Sequence, residues 1–423
     1  ELFYDPIEHL PRLQKVFRLN RHPNVVVWTN RFPVEFLEGL EDLIQDPHKM
    51  LDEVNGRRFQ VRKYLDEGTP LECRQQERCV HCFIEPFCTT ADRVIERQNQ
   101  ASWNVWWIGA VDGASTANAA NAAMPTASEL PFGCRSIGVE VEDLTDVEGL
   151  GVQPDVGMYV RPKRASRSID RQTVPNQLLL GLREPEQLDV LLPGTPLPAG
   201  VEVEIELNQR TAPWLLSQRE RVRTYLDVVR LHQPTWEFLK DAVANDVRDL
   251  KGFFTELALP IRTSGLTACL APGTQLVDAP KILERKMFDQ ETGRIAIREL
   301  ARTHVVHGYQ AKSLRCRDCV VNARCEGAHI NFIRDQGFAE LEPLREGAWA
   351  ENAAAQLLAL RPTPLPRVRD GQPLQPVGPS LPGFAPAQTA PVEPLIEFAQ
   401  KTREARERAR QEAAQRRQVS LEG

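Results

Sequence analysis

The sequence predicts an α/β protein with cysteine-rich modules, an α+β second region and a helical tail. Three observations predict it. Apolar residues at helical spacing alternate with a short β-branched run near the N-terminus, strands of period two recur further on with helical stretches after them, and the spacing C-x2-C-x5-C occurs twice. At 423 residues, 42% of them hydrophobic and 26% charged, the chain is long enough for two or three domains with their own cores. A net charge of -6 gives no general electrostatic reason to bind nucleic acid. No run approaches the roughly eighteen apolar residues of a membrane span, and the N-terminus lacks the pattern of a signal peptide, so no membrane partner is expected and the expected compartment is the cytoplasm.

Asp5-Pro6 is suited to cap a helix carrying Leu10, Leu13 and Phe17. Val25-Val26-Val27-Trp28 reads as a strand buried on both faces of a parallel sheet, ended by Thr29-Asn30 and followed by a helix marked by Val34, Leu37, Leu40 and Ile44. Ligands of such sheets collect at the carboxyl ends of strands, where Thr29 and Asn30 would sit; an ordinary turn is the other reading. Residues 61–100 hold the first cysteine set and a helix from Thr90 to Gln98. Residues 101–135 read as a linker, because Gly113 to Ser128 offers little that packs; Trp103, Trp106 and Trp107 read as core or interdomain packing.

Residues 136–260 form the α+β region. Ile137, Val139 and Val141 alternate with polar or small residues, and Val201, Val203, Ile205 and Leu207 alternate with Glu202, Glu204 and Glu206. Both segments read as half-exposed strands, with the glutamates on the solvated side. Helices are expected from Leu216 to Arg230, and from an N-capping Thr235 through a stripe of Trp236, Leu239, Val243, Val247, Leu250 and Phe254. Residues 261–345 carry the second cysteine set. Ten of the 32 prolines fall between Pro362 and Pro394, so 346–392 reads as an extended tether. Residues 393–423 read as a basic helix with Glu404–Arg408 and Glu412–Arg416 at favourable spacing, a solvated tail or a contact for a partner.

The cysteines carry the chemistry. Cys79, Cys82 and Cys88 repeat the spacing of Cys316, Cys319 and Cys325. A reducing compartment favours ligation over disulfides, and a C-x2-C turn aims two thiols the same way while the longer interval returns a third. Each set needs a fourth ligand, and the nearest candidates are Cys73 and Cys269. Cys134 reads as a small buried hydrophobe. Four thiolates suit structural zinc or an iron-sulfur cluster, and ligand count alone does not separate the two. His81 reads as a neighbour rather than a ligand, and His304, His307 and His329 as surface or packing residues.

Cys316-x2-Cys319-x5-Cys325-Glu326-Gly327, then Phe332 and Gly337-Phe338-Ala339-Glu340-Leu341-Glu342-Pro343, resembles the C-terminal end of radical S-adenosylmethionine (radical SAM) proteins with SPASM-like auxiliary-cluster regions, and Cys269 before Leu270-Ala271-Pro272-Gly273 is similar to the cysteine that opens that region. Glu1 to Pro6, the helix at Leu10 to Leu19 and the run from Val25 to Asn30 resemble the middle of the radical SAM partial barrel, with Arg31 where the family has glycine. The resemblance implies that 1–60 is the later part of a partial (β/α) barrel and that 261–345 is a SPASM-like module. It implies auxiliary 4Fe-4S clusters on Cys73, Cys79, Cys82 and Cys88 and on Cys269, Cys316, Cys319 and Cys325, with Asn30 near S-adenosyl-L-methionine. It further implies a 5'-deoxyadenosyl radical that modifies a peptide or protein substrate, with a reductant such as ferredoxin or flavodoxin. The family's catalytic C-x3-C-x2-C loop does not occur in the 423 residues. The chain is then either a piece of a longer enzyme, a degenerate partner subunit that binds a leader peptide, or a non-enzymatic protein with two structural zinc sites.

Overall fold

The computed structural model describes residues 6–74, 79, 82–111, 124–150, 153, 155–168 and 177–365. The basic tail, most of the proline-rich tether and His81 lie outside them.

The fold is α/β, built on a nine-stranded parallel sheet. Its strands are β1 (Val105–Val111), β2 (Ser136–Asp143), β3 (Gly157–Arg164), β4 (Leu178–Leu182), β5 (Val201–Glu206), β6 (Val229–His232), β7 (Arg262–Ser264), β8 (Gln275–Leu276) and β9 (Ile282–Glu284). β1 to β8 lie side by side in chain order, and β9 pairs with the free side of β1. Parallel neighbours in sequential order need a crossover each time, and right-handed crossovers carry them all over the same face. Helices Pro185–Leu191, Thr211–Ser217, Arg219–Arg223, Leu239–Asn245 and Leu250–Leu257 supply the connections from β4 through β7.

The two faces of the sheet differ in kind. Ile137, Val139, Val160, Leu180, Leu182, Val203, Ile205, Val229 and Leu231 are fully buried on one face. The register places Trp107, Tyr159, Arg161, Glu204, Glu206, Arg230 and His232 on the other. Two glycines make the second face possible. A Cβ on Gly138 would lie 2.2 Å from the Trp107 ring, which therefore crosses β2 to meet Tyr159 edge-on at 5.8 Å. A Cβ on Gly181 would lie 2.9 Å from Arg161 Cγ and 3.1 Å from Tyr159 Cε2, so β4 is the strand over which these side chains reach β5.

Several expectations are corrected. Glu204 and Glu206 are not solvated; they are 1% and 8% exposed, because β5 is an interior strand with neighbours on both sides. Val25 to Trp28 is not a strand. It is irregular and outward-facing, with Val26 87% and Trp28 74% exposed, and no strand pairs with it among the described residues. The described part of 1–60 is helical or irregular: helix Pro6–Phe17 forms as expected, but only short turns Val34–Leu37 and Glu41–Leu43 stand where a second helix was expected. β1 lies inside the expected linker and β7 to β9 lie beyond residue 260, so one sheet runs through three of the expected regions.

The long helix expected from an N-capping Thr235 starts only at Leu239, Thr235 being irregular, and is broken at Asp246. Its carboxylate accepts from Gln233 Nε2 at 2.9 Å and Trp236 Nε1 at 2.8 Å, and Asp249 caps a new helix by accepting from Gly252 N at 2.8 Å. The helix expected to reach Arg230 ends at Arg223, and Val229 enters β6. The start of the expected tether is the helix Ala348–Leu360, which lays Ala353 and Leu357 against Ala268, Leu276 and Val321.

Gly138→Ala forces the Trp107 ring off β2. It should cost about 1–3 kcal/mol of unfolding free energy as overpacking, measured by urea denaturation. Alanine at Gly56, where nothing lies within 4 Å and φ is ordinary, should cost much less.

Candidate functional site

Cys269, Cys316, Cys319 and Cys325 line one cavity together with Thr267, Lys312 and Gly327. Local structure brings them there. Cys269 lies in the 3-10 turn Ala268–Leu270, just beyond β7. Cys316 lies in the turn Leu314–Asp318, which Ser313 caps by accepting from Arg315 N. Arg315 fixes that turn from outside by donating to Glu38 Oε1 at 2.7 Å and to the Phe338 carbonyl at 2.9 Å. Gly327, at φ 96°, sits where a Cβ would lie 2.2 Å from the Ala311 carbonyl oxygen, and its N–H donates to Cys325 Sγ at 3.4 Å. Trp349 on the helix Ala348–Leu360 donates to the Ala268 carbonyl at 2.9 Å and holds that helix beside the cavity.

Burial pushes Cys269 up to about 12, against the Thr267 hydroxyl 3.3 Å away, and also raises Cys316 and Cys325. Burial outweighs the nearby Lys312 and Lys251 and favours the protonated thiols; binding a metal or cluster would release the protons.

In the first set, Cys88 is raised to about 12 by burial, opposed by Arg74 and reinforced by Cys82 and Cys73, which lie close enough for their charge to be felt. Cys79 is described and buried, while the residues on either side of it lie outside the described ones. Arg57 Nη1 reaches Cys73 Sγ at 3.7 Å. The segment is anchored by a buried ion pair between Arg74 and Asp92, which also accepts from the Tyr64 hydroxyl. The helix Glu85–Asn99 continues from Cys88 to Arg93, whose Nη1 meets Glu326 Oε1 at 3.2 Å beside Cys325. Among the described residues, no group of three or more His, Cys, Asp or Glu side chains is disposed to hold a single metal ion.

Asn30 is exposed, with its Oδ1 3.5 Å from Gln45 Nε2, and Thr29 is a buried turn residue donating to the Leu43 carbonyl at 2.7 Å. Cys134 is buried in the core. His329 caps helix Ile330–Gln336, and its Nε2 lies 3.0 Å from the Val305 carbonyl. His304 is fully buried, 2.8 Å from Thr90 Oγ1 and stacked on Tyr309; His307 is exposed.

The charged face of the sheet is the part that the sequence reading missed. Tyr159 donates to Glu204, Arg161 Nη2 donates to the Tyr159 oxygen at 3.0 Å, and Arg230 Nε lies 2.9 Å from Glu204 Oε2, off hydrogen-bond alignment. Burial alone would raise Glu204, but His232, Arg230, Tyr159 and Arg161 outweigh it and hold its carboxyl below the usual range. Burial lowers His232 despite the nearby Glu204. The available signal was the alternation of Tyr159, Arg161 and Lys163, matching the alternation of Glu202, Glu204 and Glu206.

Comparison with protein-family models, curated proteins and solved structures finds no match to the chain.

Burial holds His304 at about 3 and His329 at about 4, against 6.5 for a free histidine. Below pH 6.5 the unfolded chain therefore takes up protons that the folded chain refuses, and stability that is complete above pH 6.5 is lost as pH falls toward those values. His304→Gln should narrow the difference in unfolding free energy between about pH 7 and about pH 4.5 by roughly 2 kcal/mol, read from denaturant titrations at the two pH values.

Proposed function

We propose that the chain is the auxiliary-cluster part of a radical SAM enzyme acting on a peptide or protein substrate. Cys269, Cys316, Cys319 and Cys325 would hold one 4Fe-4S cluster, and Cys73, Cys79, Cys82 and Cys88 a second. The observation that carries this reading is the meeting of Cys269 with the three cysteines beyond β9 in one cavity, from separate stretches of chain. The donor set fits: all four groups are sulfur, they are partly buried, and the Gly327 N–H already points at one of them. Four sulfur donors suit a cluster, whose ligands stand apart around a cube of irons, as they would a zinc ion with four sulfurs at about 2.3 Å from one point, and it is the resemblance that favours the cluster.

The residues around the cavity have definable tasks. Lys312 offsets thiolate charge at Cys325, the Thr267 hydroxyl is within hydrogen-bond reach of Cys269, and Trp349 ties the helix Ala348–Leu360 to the turn that carries Cys269. A cluster bound here supplies one-electron chemistry. The pair of Arg93 and Glu326 ties the helix that follows the first set to the residue beside Cys325, so the two sets are held by one framework. S-adenosylmethionine and a protein reductant belong to the same proposal through the resemblance alone.

The test is elemental. Protein purified without oxygen should be brown, absorb near 400 nm and contain about eight irons and about eight sulfides per chain. Cys316→Ser with Cys319→Ser should remove about half of both and leave the other half. Colourless protein with stoichiometric zinc, or protein with no bound metal, would reject the cluster reading.

A further inference from the structure

A hinge at residues 246–249 separates the helices Leu239–Asn245 and Leu250–Leu257. Asp246 opens it and is 1% exposed. Its side chain meets that of Gln233, also buried, which directly follows β6. Gln233 Nε2 and Trp236 Nε1 both donate to the same oxygen, Asp246 Oδ1. The other oxygen, Asp246 Oδ2, and the Gln233 amide oxygen Oε1 are both buried without a hydrogen-bond partner among the described residues. Two orphaned acceptors on side chains already joined by one hydrogen bond are costly, since buried polar groups are nearly always paired.

Turning the Gln233 amide over does not relieve this, because it would set its oxygen against Asp246 Oδ1. A proton does. A protonated carboxyl group donates from one oxygen and accepts at the other, and an amide does the same with its nitrogen and oxygen, so the two can pair through two parallel hydrogen bonds. The cations of the packed elements are engaged elsewhere. Arg248 donates to both Asp335 oxygens, at 2.9 and 2.7 Å, and to the Val243 carbonyl at 2.9 Å. Arg334 donates to Asn331 Oδ1, Lys240 lies over the Phe238 ring, and Lys251 donates to Glu342. Asp241, Asp249 and Glu256 on the hinge and its two helices carry the opposite charge. Burial, helped by Asp335, outweighs the Trp236 and Gln233 donors and Arg248, and pushes the Asp246 carboxyl up to about 7.

We propose that Asp246 and Gln233 form a clasp closed by a proton, donated from Asp246 Oδ2 to Gln233 Oε1, and that loss of this proton opens the hinge between the two helices. With the proton in place, each of the two orphaned acceptors is satisfied. Without it, both stay orphaned and a full charge is buried beside them, a state relieved by letting water into the hinge. Other elements would feel the change. Gln209 Nε2 donates to the Asp246 carbonyl at 3.1 Å, Gln336 Nε2 donates to the Val247 carbonyl at 3.2 Å, and Arg248 holds Asp335. The hinge is thereby tied to the loop after β5 and to the helix Ile330–Gln336, which follows the stretch carrying Cys325 and Gly327. The clasp does not depend on what the cysteines bind.

The unfolded aspartate releases its proton near 3.8 and the folded one near 7, so the stability this group contributes is complete below about pH 3.8 and is lost as pH rises through about 7. Asp246→Asn puts an amide donor where the proton stood and keeps the acceptor, so this variant stays clasped at every pH. Two measurements on the full chain test the proposal. In carbon NMR of protein with labelled aspartate carboxyls, the Asp246 signal should titrate in the neutral range. Between about pH 5 and about pH 8, the unfolding equilibrium constant of the unaltered protein, from urea titrations, should rise about tenfold or more relative to that of Asp246→Asn. Over the same range, amide exchange at 246–249, corrected for its intrinsic pH dependence, should quicken about tenfold or more in the unaltered protein alone. An Asp246 signal that titrates near 4, as for a carboxylate served by water, overturns the proposal. So does a titration in the neutral range with no change in exchange at the hinge. Both readings come from the unaltered protein and decide the matter even where Asp246→Asn does not fold.

Discussion

A charge in the middle of a sheet constrains everything around it. The Glu204 carboxylate is 1% exposed, and a buried ion persists only where donors and opposite charge replace water. Here the replacements come from strands on both sides: Tyr159, backed by Arg161, reaches across from β3, and Arg230 stands on β6. That reach fixes residues which otherwise look arbitrary. β4 must be glycine at 181, because any side chain there would stand where Tyr159 and Arg161 cross. β2 must be glycine at 138 for the same reason one strand further on, where the Trp107 ring closes over Tyr159. The composition of five neighbouring strands thus follows from one carboxylate.

The opposite face obeys the simpler rule. Its side chains are aliphatic and buried, since the crossovers between sequential parallel strands must run over it. Among the strands' described residues, the cost of burying charged side chains is therefore confined to one side. This separation explains why an alternating strand such as Val201 to Glu206 can sit inside a sheet. Alternation means that two faces differ, and it does not say that one of them meets water.

That distinction sets how much was legible. The period of two correctly gave β2 and β5 as strands, helical spacing gave helix Pro6–Phe17, and the helix expected from Thr90 to Gln98 is the later part of Glu85–Asn99. The repeated cysteine spacing marked out both thiol sets, and Cys269 could be named because few other thiols were left to choose from. What failed were readings that needed partners. Val25 to Trp28 has the β-branched run of a core strand, but propensity does not supply a neighbour with which to pair. The stripe from Trp236 to Phe254 has helical spacing throughout, yet Asp246 earns more from the Gln233 and Trp236 donors than from one more helical turn. The charged face was hidden for a related reason. Its glycines and its arginines lie on different strands, and only the register brings them to one row.

The exit of β7 is where the charged face and the cysteine-lined cavity come closest in the chain. Ser264 ends that strand on the charged face, and Cys269 follows within the next turn. Thr263, on the other face, accepts or donates to Thr274 at 2.9 Å, and Thr274 donates to the Ala271 carbonyl, so the loop that carries Cys269 is closed on itself by buried hydroxyls. Gln356 ties the helix Ala348–Leu360 to the far side of that loop through Leu276 N and the Thr274 carbonyl. A displacement of Cys269 would therefore load hydrogen bonds anchored in β7 and β8. The sheet supplies the rigid support, the loop supplies the thiol, and the rigidity of one limits the motion of the other. Four thiols presented at fixed spacing would lose less conformational entropy on binding a common partner than four on a free chain, so a parallel sheet with no cysteine in its strands can still shape what the cysteine loop does.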